Sequence, residues 1–347
     1  MAFLANHNMQ KPKALVVGAD YCLDSIYDER VLRRLSEYAI LIRPPQRTTE
    51  LFKQLDILAS VEVLCTTWGA PLLDEALLTA APNLRVVLHA GGTVRGLMSD
   101  LAWARGIKVA SAYAANAIPV AEFAAATLIL ALKGVFPHMR AAEGNTRQRT
   151  LATDYAARNK CFGNYRRTIG LVSYGAIARL VRGQLRAGEH KVLVYDPFVT
   201  QATAQAEEIE SVTLEALFSR ADAVSVHAPL LPATTGLIHG GHIAKLKPGA
   251  IFLNTARGAI VREHEMIDTL RVRPDIQAIL DVTWPDPPEP DSPLFTLPNV
   301  FLTPHIAGAF GSELARLGET VADELARFAA GQSLRWAITP EQFARMA

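Results

Sequence analysis

The sequence predicts an α/β protein built from two doubly wound domains with parallel sheets. Three observations carry this. Short apolar runs rich in β-branched residues alternate with longer helical patterns along almost the whole chain, and such alternation builds parallel sheets covered by helices on both faces. The chain has 347 residues, enough for about two domains. Half of the residues are apolar and a fifth are charged, ample for packed cores and far from the composition of disorder.

The elements follow in chain order. Lys13–Gly18, Val61–Cys65, Leu84–His89 and Ile107–Ala110 are short buried runs that read as strands. Between them, Val31–Tyr38, Leu72–Ala80 and Leu101–Arg105 have helical composition. A long helix is expected to begin near Pro119, since a proline in the first turn lacks only an N–H that would be unpaired there anyway. Its continuation, Val120–Leu132, is nearly apolar all round and predicts burial on most sides, in a core or at a junction of domains or subunits. A second series of strands is expected at Thr168–Val172, Lys191–Tyr195, Ala223–Val226, Ala250–Leu253, Ile276–Leu280 and Val300–Leu302. A helix over Glu313–Ala330 follows, with Leu314, Leu317, Val321, Leu325 and Phe328 at helical spacing. The stretch Trp284–Pro293, WPDPPEPDSP, continues neither kind of element, because proline removes donors and fixes φ.

Charge and cysteine usage exclude several classes. Lys and Arg total 35 against 34 for Asp and Glu, a net charge of +1, which argues against a broad nucleic-acid surface but leaves room for a local basic patch. The longest run of apolar character, Phe123 to Leu132, falls well short of the ~20 residues that span a bilayer. The opening MAFLANHNMQKPK has no basic region followed by a long apolar core, so no secretory signal is expected. Cys22, Cys65 and Cys161 are scattered and odd in number, forming neither a disulfide framework nor a metal-ligand cluster. The expectation is a cytoplasmic protein without metal.

Chemistry enters at Gly170–Ala178, GLVSYGAIA, which follows a strand and opens a helix. A dinucleotide site needs a tight turn, close backbone approach to the pyrophosphate and close helix–strand packing, which small residues at G-x-G-x-x-G spacing provide. Here those positions are Ser173, Gly175 and Ala178; the serine is a departure. Asp196 ends the next strand, where a carboxylate accepts ribose hydroxyls and repels a 2′-phosphate, so NAD is expected rather than NADP. Three later strands end in polar residues. Arg257 follows one, Asp281 and then Asp286 and Glu289 follow the next, and His305 follows the last. An arginine can clamp a carboxylate bidentately and polarise a neighbouring oxo group. A histidine can exchange a hydroxyl proton near neutral pH, and a carboxylate can orient the imidazole and stabilise its cationic form. His227 also ends a strand, with no second chemical group beside it, and reads as architecture; His89 precedes a glycine loop and could cap its strand.

From about Leu84 to Leu325 the chain resembles the D-isomer-specific 2-hydroxyacid dehydrogenase family, which includes phosphoglycerate dehydrogenases. The resemblance rests on AGG (Ala90–Gly92), NAIPVAEFA (Asn116–Ala124), GLVSYGAIA, VYDP (Val194–Pro197), HAPLLPATTGLI (His227–Ile238), LKPGAIFLNTARG (Leu246–Gly258), ILDV (Ile279–Val282) and TPHIAG (Thr303–Gly308), in family order. It implies that Arg257 binds substrate and that His305 is the acid/base. The family's carboxylate partner is usually a Glu five residues beyond the Asp of the ILDV-like strand; this chain has Asp286 there, leaving Asp286 and Glu289 as alternatives. It also implies NAD contacts from Ser173, Gly175, Ala176, Ile177, Asp196, Ala228, Pro229, Thr255, Ala256, Asp281 and Gly308, and a substrate carboxylate on the backbone of Gly91 and Gly92. Arg95 could meet a second anionic group, though a surface role fits better.

The family fold places a Rossmann cofactor domain, residues 114–308, inside a flavodoxin-like substrate domain, residues 1–113 plus 309–347, and implies a homodimer. The expected function is NAD-dependent interconversion of a D-2-hydroxy acid and its 2-oxo acid. A regulatory NAD-binding protein on the same scaffold, like the corepressors related to this family, is the alternative; turnover of 2-oxo acids discriminates the two.

Overall fold

A computed structural model describes residues 11–143 and 163–346, so Cys161 lies outside the described residues. The chain forms two compact units, Met1–Asn116 with Ala309–Ala347 and Ala117–Gly308, so that the second is inserted in the sequence of the first.

The first unit holds β1 (Lys13–Gly18), β2 (Ile40–Leu41), β3 (Gln46–Arg47), β4 (Val63–Thr67), β5 (Val86–Ala90) and β6 (Lys108–Ser111). They form one parallel sheet in the order β2-β1-β4-β5-β6. β2 pairs with the start of β1 and β3 with its end, so the two make one interrupted edge strand. This is the flavodoxin-like order. Side chains on a strand alternate faces, and two cores follow. Ala14, Val16, Val63, Cys65, Val86 and Leu88 pack on one face with Leu317, Val321 and Leu325 of the helix Leu314–Ala329. Leu15, Val17, Leu64, Val87 and Val109 pack on the other with Leu73, Leu77 and Met98.

The second unit holds β7 (Thr168–Val172), β8 (Lys191–Tyr195), β9 (Glu210–Ser211), β10 (Ala223–Val226), β11 (Ile251–Asn254), β12 (Gln277–Leu280) and β13 (Val300–Leu302). The sheet is parallel, in the order β13-β12-β11-β10-β7-β8-β9. That is the Rossmann order with a seventh strand added, and its winding reverses between β7 and β10, where such sheets bind ligands beyond their carboxyl ends.

One expectation needs correcting. The long helix begins at Tyr113, six residues before Pro119, and runs to Leu132 with the proline inside it. Proline there removes the bond its N–H would give to the Ala115 carbonyl and its ring crowds that carbonyl, a cost that burial of the helix offsets. Ala121, Ala124, Ala125, Leu128, Ala131 and Leu132 pack in one core with Ile169, Leu171, Ala178 and Val181. The added length also alters the reading of Phe123–Leu132. At 20 residues and predominantly apolar, the helix meets the length and composition of a membrane span, yet most of it is buried in the fold, as in a core helix.

Candidate active site

At the β7–β10 switch point the turn after β7 is held by Asp196, the residue after β8. One carboxylate oxygen accepts the Tyr174 N–H at 2.7 Å and the Ser173 hydroxyl at 3.2 Å. The other accepts the Phe198 N–H at 2.7 Å. Ser173 stands at φ +71°, a conformation that usually selects glycine, and its hydroxyl supplies a tether that glycine would lack. The serine departure thus has a local cause. Gly175 caps the helix Ala176–Gln184, and a Cβ added there would meet no heavy atom within 4 Å. Packing within the protein therefore does not demand glycine there, whereas a ligand phosphate seated on the helix amino terminus would need that space. Ala178 is fully buried against the sheet.

Beside Asp196 runs a groove of about 810 Å³ lined by Tyr195, Pro197, Val212, Thr235 and His239 among others. Ala228 is buried after β10, and the Pro229 carbonyl accepts the Thr234 hydroxyl. The Thr255 hydroxyl is buried without a partner among the described residues. An open helix amino terminus, a carboxylate at the switch point, a groove beside it and an orphan hydroxyl together fit a dinucleotide.

Three adjacent parallel strands deliver the polar residues. Asn254 pairs with Leu280, and Leu280 with Leu302, so β11, β12 and β13 end level with one another. After β11, Asn254 braces the turn, accepting the Ala256 N–H at 3.0 Å and donating to the Arg257 carbonyl at 3.1 Å. The Arg257 guanidinium donates to the Ala256 carbonyl at 2.6 Å. Burial pushes its pKa below the ordinary value, opposed by the nearby Asp286 carboxylate. The next residue, Gly258, is obligatory: a Cβ there would lie 1.9 Å from the Thr283 carbonyl oxygen, so the loops after β11 and β12 stack backbone to backbone.

The loop after β12 is anchored at Glu263, whose half-buried carboxylate accepts the Trp284 N–H at 2.8 Å; burial raises its pKa. Asp286 follows, with the His305 Nδ1 at 2.7 Å from its carboxylate. An ionised carboxylate only accepts, so Nδ1 carries the proton and Nε2 remains to exchange one with a ligand. Glu289 is elsewhere, on the rim of another groove with Trp284, Arg262 and His264. Asp286 is thus the carboxylate that pairs with His305.

Asp281 is almost wholly buried, and its carboxylate accepts the Thr303 hydroxyl at 2.6 Å and the N–H groups of Ile306 and Ala307 at 2.9 Å each. It therefore shapes the turn that holds His305 at φ +56° and leads to Gly308. Asn254, Gly258, Glu263 and Thr303 were not singled out from the sequence. Asn254 and Thr303 signal only by their place at strand ends and Gly258 only by following Arg257, while Glu263 opens the helix Glu263–Val272 and carries no such signal. His227 donates to or accepts from Ser225 at 3.0 Å, and burial lowers its pKa to about 4. That agrees with architecture rather than proton transfer.

In the first unit, β5 runs into the loop Gly91–Gly92. His89 is buried at its base, 2.9 Å from the Thr66 hydroxyl, with its pKa lowered by burial to about 4. Its ring explains Gly91, since a Cβ there would lie 2.4 Å from His89 Nε2. Among the described residues nothing accepts the N–H groups of Gly91, Gly92 or Thr93. Arg95 faces the chain's own carboxyl-terminal segment, donating to the Met346 carbonyl at 2.5 Å and to those of Phe343 and Ala344 at 3.1 and 3.2 Å. Arg95 is exposed, as expected of a surface residue, and its guanidinium is engaged with these carbonyls. Among the described residues no group of three His, Cys, Asp or Glu side chains is placed to hold a metal ion.

The chain is similar to known proteins over about three quarters of its length. Residues 130–307 match the model of the D-isomer specific 2-hydroxyacid dehydrogenase NAD binding domain. The D-3-phosphoglycerate dehydrogenase of Mycobacterium tuberculosis is 36% identical over 264 residues, 76% of this chain and 48% of that protein. The chain thus spans about half the length of the phosphoglycerate dehydrogenases it matches. The (S)-sulfolactate dehydrogenase of Chromohalobacter salexigens is 34% identical over 74% of this chain and 81% of that protein. In fold, the apo form of Rhodotorula graminis D-mandelate dehydrogenase superposes with a TM-score of 0.77 at 22% identity, covering 95% of this chain and 98% of that one. With a Rossmann sheet, a dinucleotide-shaped switch point and a family match over half of its residues, the chain belongs to the D-isomer specific 2-hydroxyacid dehydrogenase family.

Proposed function

We propose that the protein interconverts a D-2-hydroxy acid and its 2-oxo acid with NAD. The observation that carries this reading is the His305–Asp286 pair, 2.7 Å apart and beside Arg257, at the level ends of three neighbouring strands. Arg257 holds the substrate carboxylate and polarises the 2-oxo group through its planar fork. His305 gives its Nε2 proton to the oxo oxygen during reduction and takes it back during oxidation. Asp286 keeps the imidazole in that tautomer and orientation. Gly91 and Gly92 offer backbone N–H groups to the carboxylate. Ser173, Gly175, Ala176, Ile177, Asp196, Ala228, Pro229, Thr255, Ala256 and Gly308 would line the cofactor, and Asp281 would support it through the turn it shapes. The dinucleotide, when bound, supplies or accepts hydride.

The test is turnover. Purified protein is mixed with NADH or NADPH and a panel of 2-oxo acids, including glyoxylate, pyruvate, hydroxypyruvate and a phosphorylated acid, while absorbance follows cofactor oxidation. Oxidation of NADH by at least one acid is expected; none with any acid sinks the reading and leaves the regulatory alternative. A homodimer and a cytoplasmic location belong to the same proposal. The free, buried thiols of Cys22 and Cys65 are in keeping with a reducing compartment. Light scattering that gives a monomer mass removes the dimer.

A further inference from the structure

The carboxyl-terminal segment Leu334–Met346 is linked to the Gly91–Gly92 loop at two places, through Ser111 of β6 at the loop's entry and through Arg95 at its exit, all within the first unit. At the entry end it lies against β6. Ala337 bridges Ala110 in antiparallel fashion, the Ile338 N–H donates to the Val109 carbonyl at 2.9 Å, and the Ser111 N–H donates to the Trp336 carbonyl at 3.2 Å. The Trp336 ring meets Tyr113 edge to face at 5.6 Å. Ser111, fixed in this way, places its hydroxyl 2.7 Å from the Gly91 carbonyl and 2.9 Å from that of Gly92. A trans peptide is planar, so fixing those two carbonyls aims the Gly92 and Thr93 N–H groups the opposite way, away from Ser111.

At the exit end Arg95 closes the connection. Its guanidinium takes the carbonyls of Phe343, Ala344 and Met346 and lies 5.2 Å from the Phe343 ring centre. Phe343 is itself held edge to face by Trp103 at 5.5 Å, and Ile338 is buried in the same core. The three carbonyls lie on and just after the short helix Pro340–Phe343, where one planar fork of donors meets all of them.

We propose that Arg95 and the segment Leu334–Met346 are a positioning clamp that fixes the glycine loop for the substrate carboxylate. Arg95 is a positioning residue: it touches the tail, and acts on substrate through the loop. This rests on the functional reading above, in which the loop's N–H groups bind that carboxylate.

The experiment compares the full chain with Arg95→Met, which keeps the aliphatic stem but no fork, and with Phe343→Ala, which loosens the same joint from the tail side. Amide hydrogen exchange over residues 91–98 is read on the protein without ligand, beside steady-state kinetics and the NADH dissociation constant. Both variants are expected to exchange about tenfold faster there and to raise KM for the 2-oxo acid by about tenfold, with kcat and NADH affinity within about twofold. Arg95→Lys restores part of the exchange protection, as one donor group replaces the fork. Unchanged exchange in both variants overturns the clamp. Faster exchange with an unchanged KM, or a fall in kcat and melting temperature alone, reduces it to ordinary structural support and overturns the positioning role. A full chain inert toward every 2-oxo acid instead overturns the functional reading, and the role of the clamp with it, whatever the exchange shows.

Discussion

Replacing Asp286 by Asn isolates the charge behind His305. The amide has nearly the volume of the carboxylate and can still turn an oxygen to Nδ1, so the loop keeps its shape while the charge is lost. Charge-assisted hydrogen bonds are worth about 1.5–3 kcal/mol against roughly half that for neutral ones. The two side chains are 52% and 33% exposed, so water competes and the low end applies. The difference, a loss of about 0.7 kcal/mol, is about threefold in kcat/KM. Initial rates of NADH oxidation at saturating cofactor measure it, with cofactor affinity from fluorescence titration as the control. The loss should fall on kcat, because the imidazole matters most where the proton moves. Glu289→Gln should stay within about twofold of the parent, since Glu289 lines another groove. An Asp286→Asn variant within twofold of the parent, or an equal loss in Glu289→Gln, refutes the pairing as the working dyad.

Three further outcomes are expected. Arg257→Lys keeps the charge but not the planar fork, and should lower kcat/KM by about 100-fold with NADH affinity intact; near-normal turnover removes Arg257 from the mechanism. Asp196→Ala should shrink the preference for NADH over NADPH and lower the melting temperature, because the Tyr174 and Phe198 N–H groups lose their acceptor. Equal kcat/KM with both cofactors in the parent protein contradicts the assignment. His89 and His227 are held neutral by burial, with pKa values lowered to about 4 from the ordinary 6.5. The unfolded chain therefore takes up protons below pH 6.5 that the folded chain refuses, and stability present above that pH is lost as pH falls toward 4. Urea unfolding should show a loss of about 2 kcal/mol per histidine between pH 6.5 and pH 5, and His89→Gln should remove one share of it. A slope unchanged by that substitution argues against a buried neutral His89.

Burial explains what could be read from the residues alone. Strands buried along nearly their whole length, such as β1, β7, β8 and β10, announce themselves as β-branched runs, and their bounds are those expected. The two-residue strands β2, β3 and β9 lie at sheet edges, and two residues carry no periodicity to detect. Pro119 misled because its local preference for a first turn was outweighed by packing along the whole helix. At the site, strand-end position singled out Arg257, Asp281 and His305, which are brought to neighbouring strand ends. The choice between Asp286 and Glu289 depends on the path of a proline-rich loop, which composition does not encode. Arg95 was equally opaque, since its partners lie some 250 residues later in the chain, at Phe343, Ala344 and Met346.

The backbone contact at Gly258 has a consequence for how this site can change. With no room for even one methyl group between Gly258 and Thr283, the loop bearing Arg257 and the loop bearing Asp286 form a single interlocking piece. Neither can be lengthened, shortened or exchanged for another sequence without recutting its neighbour. Selection acting on substrate choice would therefore find the guanidinium and the carboxylate hard to adjust separately. Variation is better tolerated farther along the second loop, around Glu289, where the chain is exposed. A designer who transplants this constellation should carry Asn254 to Gly258 and Thr283 to Asp286 together, as one part with two strands for its mount.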